Sequence, residues 1–126
     1  MLRLSNRQIG AVGVSRVASA LLRLGYSVLA PLEDFAGYDL VAEKGGKFIR
    51  IQVKTSEKRD PKRNRYGFMT ARGCTKRRAY QSGVDAFVLW GMDEDLFWIA
   101  KAKECKKRNA KRPIKTGSSW RILSDL

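Results

Sequence analysis

Histidine is absent from this chain of 126 residues, and cysteine occurs only twice. Cys74 and Cys105 lie far apart and show no CxxC spacing, so the side chains that build most zinc sites are missing. Two isolated cysteines are typical of a protein that keeps its thiols reduced, although a single disulfide between them stays open. We therefore expect an intracellular, cytoplasmic protein without a zinc centre.

Long apolar runs are also missing. No segment approaches the roughly 18 consecutive apolar residues that a membrane-spanning helix needs. The N-terminal residues lack the continuous apolar stretch of a secretory signal. The length corresponds to one domain, and a hydrophobic content of 44% is enough for a small core. These features predict a single domain over residues 1–126 with no membrane association.

Acidic residues are scarce beside basic ones, since 26 lysines and arginines stand against 12 aspartates and glutamates and give a formal net charge of +14. Such an excess supplies the sequence-independent part of nucleic-acid binding. The basic residues concentrate in segments 54–78 and 101–115, which lack the strong apolar face that membrane-surface binding requires. The residues expected to contact nucleic acid are Lys58, Arg59, Lys62, Arg63, Arg65, Arg72, Lys76, Arg77 and Arg78.

Hydrophobic periodicity predicts helices alternating with strands, which is typical of an α/β domain with a mixed sheet. A glycine pair at 45–46 favours a tight hairpin turn between two of the strands. The predicted elements are a helix over 5–24, strands over 27–30, 38–43 and 47–55, a mobile charged loop over 56–65, a strand over 66–71, a short helix over 75–81, paired strands over 86–90 and 96–100, a basic helix over 101–108 and a last strand over 120–123.

Polar side chains alternate with apolar ones along the predicted strand 47–55. Gln52 and Lys54 share one face because side chains alternate with period two, and their apolar neighbours face the helix. A hairpin through the glycine pair joins residues whose numbers sum to about 91. Asp39 then lies opposite Gln52, within cross-strand reach.

A carboxylate, an amide oxygen and a backbone carbonyl are ligands that hard cations such as Mg²⁺ prefer, with water completing the shell. Lys54 beside them could hold an attacking water or stabilise charge on a phosphate. A plain ion pair between Asp39 and Lys54 at a polar ribbon edge explains the same pattern. Spacing alone does not decide between these two interpretations.

The stretches "GAVGVSRVASALLRLGY", "SVLAPLEDFAGYDLV" and "GGKFIRIQVKT", in this order, resemble the PD-(D/E)XK nuclease superfamily. Within it the chain is similar to the small Holliday-junction resolvases and to the homing endonucleases of group I introns. The likeness runs from about residue 9 to residue 55 and is looser through "YQSGVDAFVLWGMDEDLFWIAKAKE". It implies a restriction-endonuclease-like core with a mixed central sheet flanked by helices.

The resemblance also implies roles for individual residues. Asp39 is the motif aspartate, Gln52 occupies the place of the second acid, and Lys54 is the motif lysine, so these three form the implied catalytic set. Asp39, Gln52 and the carbonyl of Val53 form the implied ligand set for Mg²⁺ or Mn²⁺.

The chain departs from the family pattern in its first helix. These families often carry a glutamate after the second glycine of that helix, and here Val14 follows Gly13. Val14 also fits the apolar stripe of the helix, so it can simply be a core residue. With Gln52, this change leaves Asp39 as the only motif carboxylate, unless Glu33 or Asp34 in the preceding loop contributes.

The sequence therefore predicts a Mg²⁺-dependent DNA endonuclease that hydrolyses phosphodiester bonds, most simply one that resolves Holliday junctions in DNA recombination. The alternatives are a site-specific homing-type endonuclease, a catalytically inactive DNA-binding module on the same fold, and a basic RNA- or ribosome-associated protein. The expected partner is branched or duplex DNA, with no nucleotide cofactor, in a microbial or phage-encoded protein.

Resolving a junction or breaking a duplex requires two cuts placed symmetrically, and a two-fold homodimer is the simplest way to supply them. The apolar residues of the strand pair at 86–98 either form its interface or fill both faces of the sheet within one chain. These residues are Phe87, Leu89, Trp90, Leu96, Phe97 and Trp98.

Overall fold

A computed structural model of the chain describes residues 3–33, 37–69, 71–72, 78–79, 83–104, 109–113 and 120–126. The elements in chain order are α1 (Asn6–Arg23), β1 (Ser27–Leu29), β2 (Leu40–Lys44), β3 (Lys47–Ser56), β4 (Arg65–Met69), β5 (Ala71–Arg72), β6 (Arg78–Ala79), β7 (Ala86–Gly91), β8 (Leu96–Lys101), a 3₁₀ turn (Ala102–Glu104), β9 (Asn109–Pro113) and α2 (Arg121–Ser124).

Five strands form a mixed sheet in the order β1-β2-β3-β7-β8. The pairs β1–β2, β2–β3 and β7–β8 are antiparallel, whereas β3 and β7 run parallel. Two further two-stranded sheets are formed by β4 with β9 and by β5 with β6. The predicted mixed central sheet is therefore confirmed, with β3 at its centre.

Helix α1 forms where the apolar period predicted it, and its ends are capped by the sequence. The Ser5 hydroxyl accepts a hydrogen bond from the Gln8 N–H at 3.2 Å, and the Gln8 side chain accepts from the Ser5 N–H at 2.7 Å, which makes a capping box. Gly25 follows the helix with φ of +93°, a conformation that costs glycine little. Val17 and Leu21 are fully buried and fix α1 on the sheet.

The sheet has an apolar cluster on each face. The first lies on the α1 side, where Val17 and Leu21 meet Ile51 and Val53 of β3. The second lies on the opposite side, beneath the β4–β9 ribbon. It is formed by Tyr66, Phe68, Val84, Phe87, Leu89, Trp98 and Ala102, with Tyr38 and Leu96 partly buried beside them.

The apolar strand pair β7–β8 fills both faces of the sheet within one chain. Phe87, Leu89 and Trp98 lie in the second cluster, and Leu96 packs against it. Phe97 packs against the first cluster and stacks on Trp90, which is only 5% exposed. The alternative interpretation, that these residues fill both faces of the sheet, is therefore confirmed for Phe87, Leu89, Trp90 and Trp98, whereas Leu96 and Phe97 are only half-buried.

Three other predicted elements differ from the structure. Residues 121–124 form the short helix α2 rather than a strand, because buried Leu123 anchors a turn against the first cluster. Arg78 and Ala79 pair with β5 instead of continuing a helix, and the rest of the segment 73–82 lies outside the described residues. Lys101 ends β8 and a 3₁₀ turn follows, so no α-helix begins there.

The segment between β3 and β4 forms a loop, as predicted, and hydrogen bonds within the loop define a tight turn. The Asp60 N–H donates to the Arg65 carbonyl at 2.8 Å, and the Asn64 N–H donates to the Asp60 carbonyl at the same distance. Asn64 adopts a left-handed conformation with φ of +48°, which an asparagine tolerates in a tight turn.

In the described part of the chain, no helix is long and apolar enough to cross a bilayer.

Gly13 marks the closest approach of α1 to β3. A methyl group at this position would overlap the Thr55 hydroxyl oxygen and lie 3.0 Å from the Thr55 Cβ. Among the described residues, the buried Thr55 Oγ1 has no hydrogen-bond partner. The glycine thus lets the helix rest directly on the strand that carries Lys54.

We expect Gly13→Ala to destabilise the fold by roughly 1–3 kcal/mol, because overpacking forces the helix away from β3. Gly10→Ala is the matched control, since nothing lies within 4 Å of the added methyl group. It should stabilise the helix by about 0.5–1 kcal/mol, the usual gain of alanine over glycine. Urea denaturation of both variants measures the difference; equal stabilities would contradict the close approach.

Candidate active site

The hairpin of β2 and β3 brings Asp39 to the strand that carries Gln52 and Lys54. Leu40 pairs with Ile51, as the predicted register requires, and the Asp39 N–H donates to the Ile51 carbonyl at 2.8 Å. Asp39 therefore lies directly before the first residue of β2 and is hydrogen-bonded to the same residue of β3 that Leu40 opposes. The predicted register is confirmed up to the pair of Leu40 with Ile51, whereas the described strand pairs include none between Asp39 and Gln52.

The Asp39 carboxylate lies against the backbone of β3. Its Oδ2 accepts a hydrogen bond from the Val53 N–H at 2.8 Å. The N–H and C=O of one strand residue point to the same edge, so the Val53 carbonyl also faces the edge that Asp39 occupies. Burial raises the pKa of the Asp39 carboxyl above its ordinary 3.8, while the Val53 N–H and the charge of Lys54 oppose this rise.

Gln52 and Lys54 lie on the face of β3 away from α1, as predicted. Their Cα partners on β7 are Phe87 and Leu89, so the second apolar cluster borders the site on one side. Both polar residues are half-buried. The Gln52 amide makes no hydrogen bond within the described part of the chain, and Lys54 is close enough to act on the Asp39 charge.

The supply of carboxylates at the site is small. Among the described residues, no three acidic, histidine or cysteine side chains come together as a metal cluster. Val14 packs against the first apolar cluster, which agrees with its interpretation as a core residue. Glu33 is exposed, and Asp34 lies outside the described residues.

A basic segment, residues 57–65, begins directly after the site. Lys58 and Lys62 are exposed and join none of the ion pairs found among the described residues. Arg63 pairs with Asp60 at 3.1 Å, and Arg59 pairs with Glu94 at the same distance. Of the other predicted contacts, Arg65, Arg72 and Arg78 lie in strands β4, β5 and β6, and Lys76 and Arg77 lie outside the described residues.

Sequence reasoning missed the acidic turn between β7 and β8. Residues 93–95, between the paired strands predicted at 86–90 and 96–100, carry no predicted role, yet Glu94 contacts the basic segment and Asp95 contacts α1. The available signal was the position of three consecutive acids in a chain of net charge +14.

A cavity of about 400 Å³ lies near the start of β3, bordered by Phe48, Val84 and Lys103. The pair of Arg50 and Asp85, 3.1 Å apart, occupies one of its walls. The cavity does not include Asp39, Gln52 or Lys54.

A sequence model of the family described as PD-(D/E)XK endonuclease matches residues 4–122. This chain belongs to the PD-(D/E)XK endonuclease family. The match confirms the resemblance inferred from the sequence, and the family supports a nuclease acting on DNA. No curated protein sequence matches the chain.

Two solved structures share the fold of this family member. The bacterial homing endonuclease I-Ssp6803I matches with a TM-score of 0.73 and 20% identity, over 96% of this chain and 86% of its own. The Holliday junction resolvase Hjc of Archaeoglobus fulgidus matches with a TM-score of 0.59 and 13% identity, over 92% and 95%. These matches confirm the predicted restriction-endonuclease-like core.

PD-(D/E)XK nucleases generally use divalent metal ions, and the donor atoms at this site fit a weakly held one. Asp39 keeps its Oδ1 without a hydrogen bond in the described part of the chain, and burial disfavours its charge. A cation would relieve that cost, because an opposite charge favours the ionised carboxylate. Gln52 and the Val53 carbonyl add two neutral oxygens of the kind that Mg²⁺ accepts.

The raised pKa of Asp39 predicts how stability depends on pH. In the folded protein Asp39 binds its proton more tightly than in the unfolded chain, so its contribution is present below pH 3.8 and is lost as the pH rises through the folded pKa. We expect Asp39→Asn to be more stable than the parent protein at neutral pH. The difference should shrink towards zero below pH 3.8.

Urea denaturation at a series of pH values, without divalent ions, measures this difference. Asp125→Asn, at an exposed carboxylate after α2, serves as the control and should change stability little at any pH. A parent protein that is more stable than the Asp39→Asn variant at neutral pH would contradict the raised pKa of Asp39.

Proposed function

We propose that the protein is a metal-dependent DNA endonuclease that hydrolyses phosphodiester bonds. The observation that carries this proposal is the Asp39 carboxylate held on the Val53 N–H at 2.8 Å, with Gln52 and Lys54 on the same strand beside it. The family match supports nuclease chemistry, and the net charge of +14 supports a polyanionic substrate.

Asp39, Gln52 and the Val53 carbonyl would hold Mg²⁺ or Mn²⁺, which supplies Lewis-acid stabilisation of phosphate charge. Lys54 donates hydrogen bonds from its ammonium group to the attacking water or to a phosphate oxygen, which positions the water and offsets negative charge in the transition state. Lys54 pairs on β7 with Leu89 of the second apolar cluster, and an apolar neighbour lowers the local dielectric and strengthens the effect of a charge.

The basic segment after β3 brings the DNA backbone to this site. Lys58 and Lys62 are exposed and can neutralise phosphates directly, and Arg65 continues the same basic surface into β4. Phosphate contacts fix the position of DNA without reading its sequence. A DNA substrate also agrees with the intracellular location expected from the sequence.

We expect Asp39→Ala and Lys54→Ala each to lower the cleavage rate by a factor of at least 100, because each removes a group that acts on the reacting phosphate. Binding to DNA should change by less than about threefold, since most binding energy comes from contacts elsewhere. Cleavage of supercoiled plasmid, linear duplex and a four-way junction, with and without Mg²⁺, measures the rates.

Lys44→Ala is the matched control, because Lys44 lies on β2 and contacts the Leu24 carbonyl away from the site. It should cleave at the parent rate. Undiminished cleavage by either site variant would refute the assignment of the site. Binding without cleavage by the parent protein under all conditions would favour the alternative of an inactive DNA-binding module.

We further propose that the DNA is branched and that two copies of the chain act on it, because resolving a junction requires two symmetric cuts. The fold shared with the resolvase Hjc supports this choice. The higher TM-score of 0.73 with the homing endonuclease I-Ssp6803I favours a second candidate, site-specific cutting of duplex DNA.

For a junction-resolving dimer we expect a species near twice 14.3 kDa and binding to a four-way junction about tenfold tighter than to linear duplex of equal length. Analytical ultracentrifugation measures the mass, and competition binding at fixed salt measures the preference. A monomer that prefers one linear sequence would overturn this choice in favour of the second candidate.

A further inference from the structure

Glu94 lies in the turn between β7 and β8 and contacts the basic segment that follows β3. Its Oε2 accepts a hydrogen bond from the Arg59 Nε at 3.1 Å, and its Oε1 accepts one from the Tyr66 hydroxyl. The Tyr66 hydroxyl oxygen in turn accepts from the Glu94 N–H at 3.2 Å. The Glu94 carboxylate thus connects Arg59, near the start of the basic segment, to Tyr66 of β4, which follows the segment.

The turn that carries Glu94 is itself held rigidly. The Asp95 carboxylate accepts two hydrogen bonds from Arg16 of α1, at 2.9 and 3.0 Å, and one from the Trp90 indole at 2.6 Å. The N–H groups of Met92 and Asp93 donate to the backbone carbonyls of residues 56 and 57, at 2.9 and 3.2 Å. The turn that carries Glu94 is therefore hydrogen-bonded both to α1 and to the end of β3.

These contacts leave part of the Arg59 guanidinium available. Its Nη1 donates to the Asn64 side chain at 2.6 Å and its Nε to Glu94, whereas Nη2 meets no acceptor in the described part of the chain. The Arg59 side chain is 37% exposed, so this nitrogen can reach solvent. An arginine held at two of its nitrogens binds a phosphate with less loss of side-chain freedom than a mobile one.

We propose that Glu94 is a positioning residue for DNA binding, which fixes Arg59 so that its remaining N–H groups contact a backbone phosphate next to the site. The inference rests on the proposed function, since it requires DNA on this surface. The proposal predicts the opposite effect on binding from the one that charge alone predicts. A carboxylate beside a bound polyanion repels it, so on charge alone the loss of Glu94 strengthens DNA binding. If Glu94 positions Arg59, the loss of Glu94 weakens DNA binding.

The test measures binding of a fluorescent DNA duplex and a four-way junction by anisotropy, without divalent ions and over a range of salt concentrations. Arg59→Ala should weaken binding about fivefold and lower the salt slope by about 0.9, the value of one phosphate contact. Glu94→Ala should weaken binding by a similar factor, although it removes a negative charge. Added to Arg59→Ala, it should cause no further loss.

Two matched variants separate positioning from charge and from stability. Glu94→Gln removes the charge but keeps an acceptor for Arg59, so its binding should equal or exceed that of the parent protein. Tyr66→Phe removes the other partner of Glu94, and should lower the thermal midpoint of unfolding while leaving DNA affinity unchanged. Either of two results would overturn the proposal. One is DNA binding by Glu94→Ala that equals or exceeds that of the parent protein. The other is a loss of binding that is as large when Glu94→Ala is added to Arg59→Ala as when it is made alone.

Failure of the proposed function gives a different result. Because no divalent ion is present, the loss of cleavage does not affect these binding measurements. If the parent protein binds no DNA, the proposed function fails, and with it the role of Glu94 towards DNA. Amide hydrogen exchange over residues 57–65 then shows whether Glu94 at least orders the segment, through faster exchange in Glu94→Ala than in Glu94→Gln.

Discussion

Pairing of β3 on both of its edges is the constraint on which the rest of the structure depends. Its antiparallel partner β2 places Asp39, and its parallel partner β7 places the acidic turn. One face of β3 is buried under α1, so Ile51 and Val53 fix the orientation of the whole strand. The opposite face then presents Gln52 and Lys54 with no freedom to exchange sides.

The site could be predicted from the sequence because its parts lie close together along the chain. A glycine pair fixes the hairpin register, period-two alternation fixes the face, and both were visible in residues 38–55. The same holds for α1, whose cap and apolar stripe are local signals. The family likeness, carried by the same stretch, added the roles of these residues but not their contacts.

The errors fall where distant residues decide the conformation. Residues 120–123 contain a strand-like pattern, yet burial of Leu123 against the α1 side of the sheet favours one helical turn. The segment after β3 has the composition of a loop and its turn is shaped by local hydrogen bonds, but Arg59 within it also meets Glu94, which lies 35 residues further along the chain. No local propensity reports such a contact.

The different sequence separations around β3 also bear on the order of folding. Asp39 and Val53 are 14 residues apart and belong to a single hairpin, whereas Arg50 and Asp85, where β7 joins the sheet, are 35 residues apart. Closing the longer loop costs more chain entropy, and contacts of greater sequence separation form more slowly. The carboxylate and the amide of the site can thus be assembled in an early hairpin. The acidic turn and its hold on the basic segment complete the molecule afterwards.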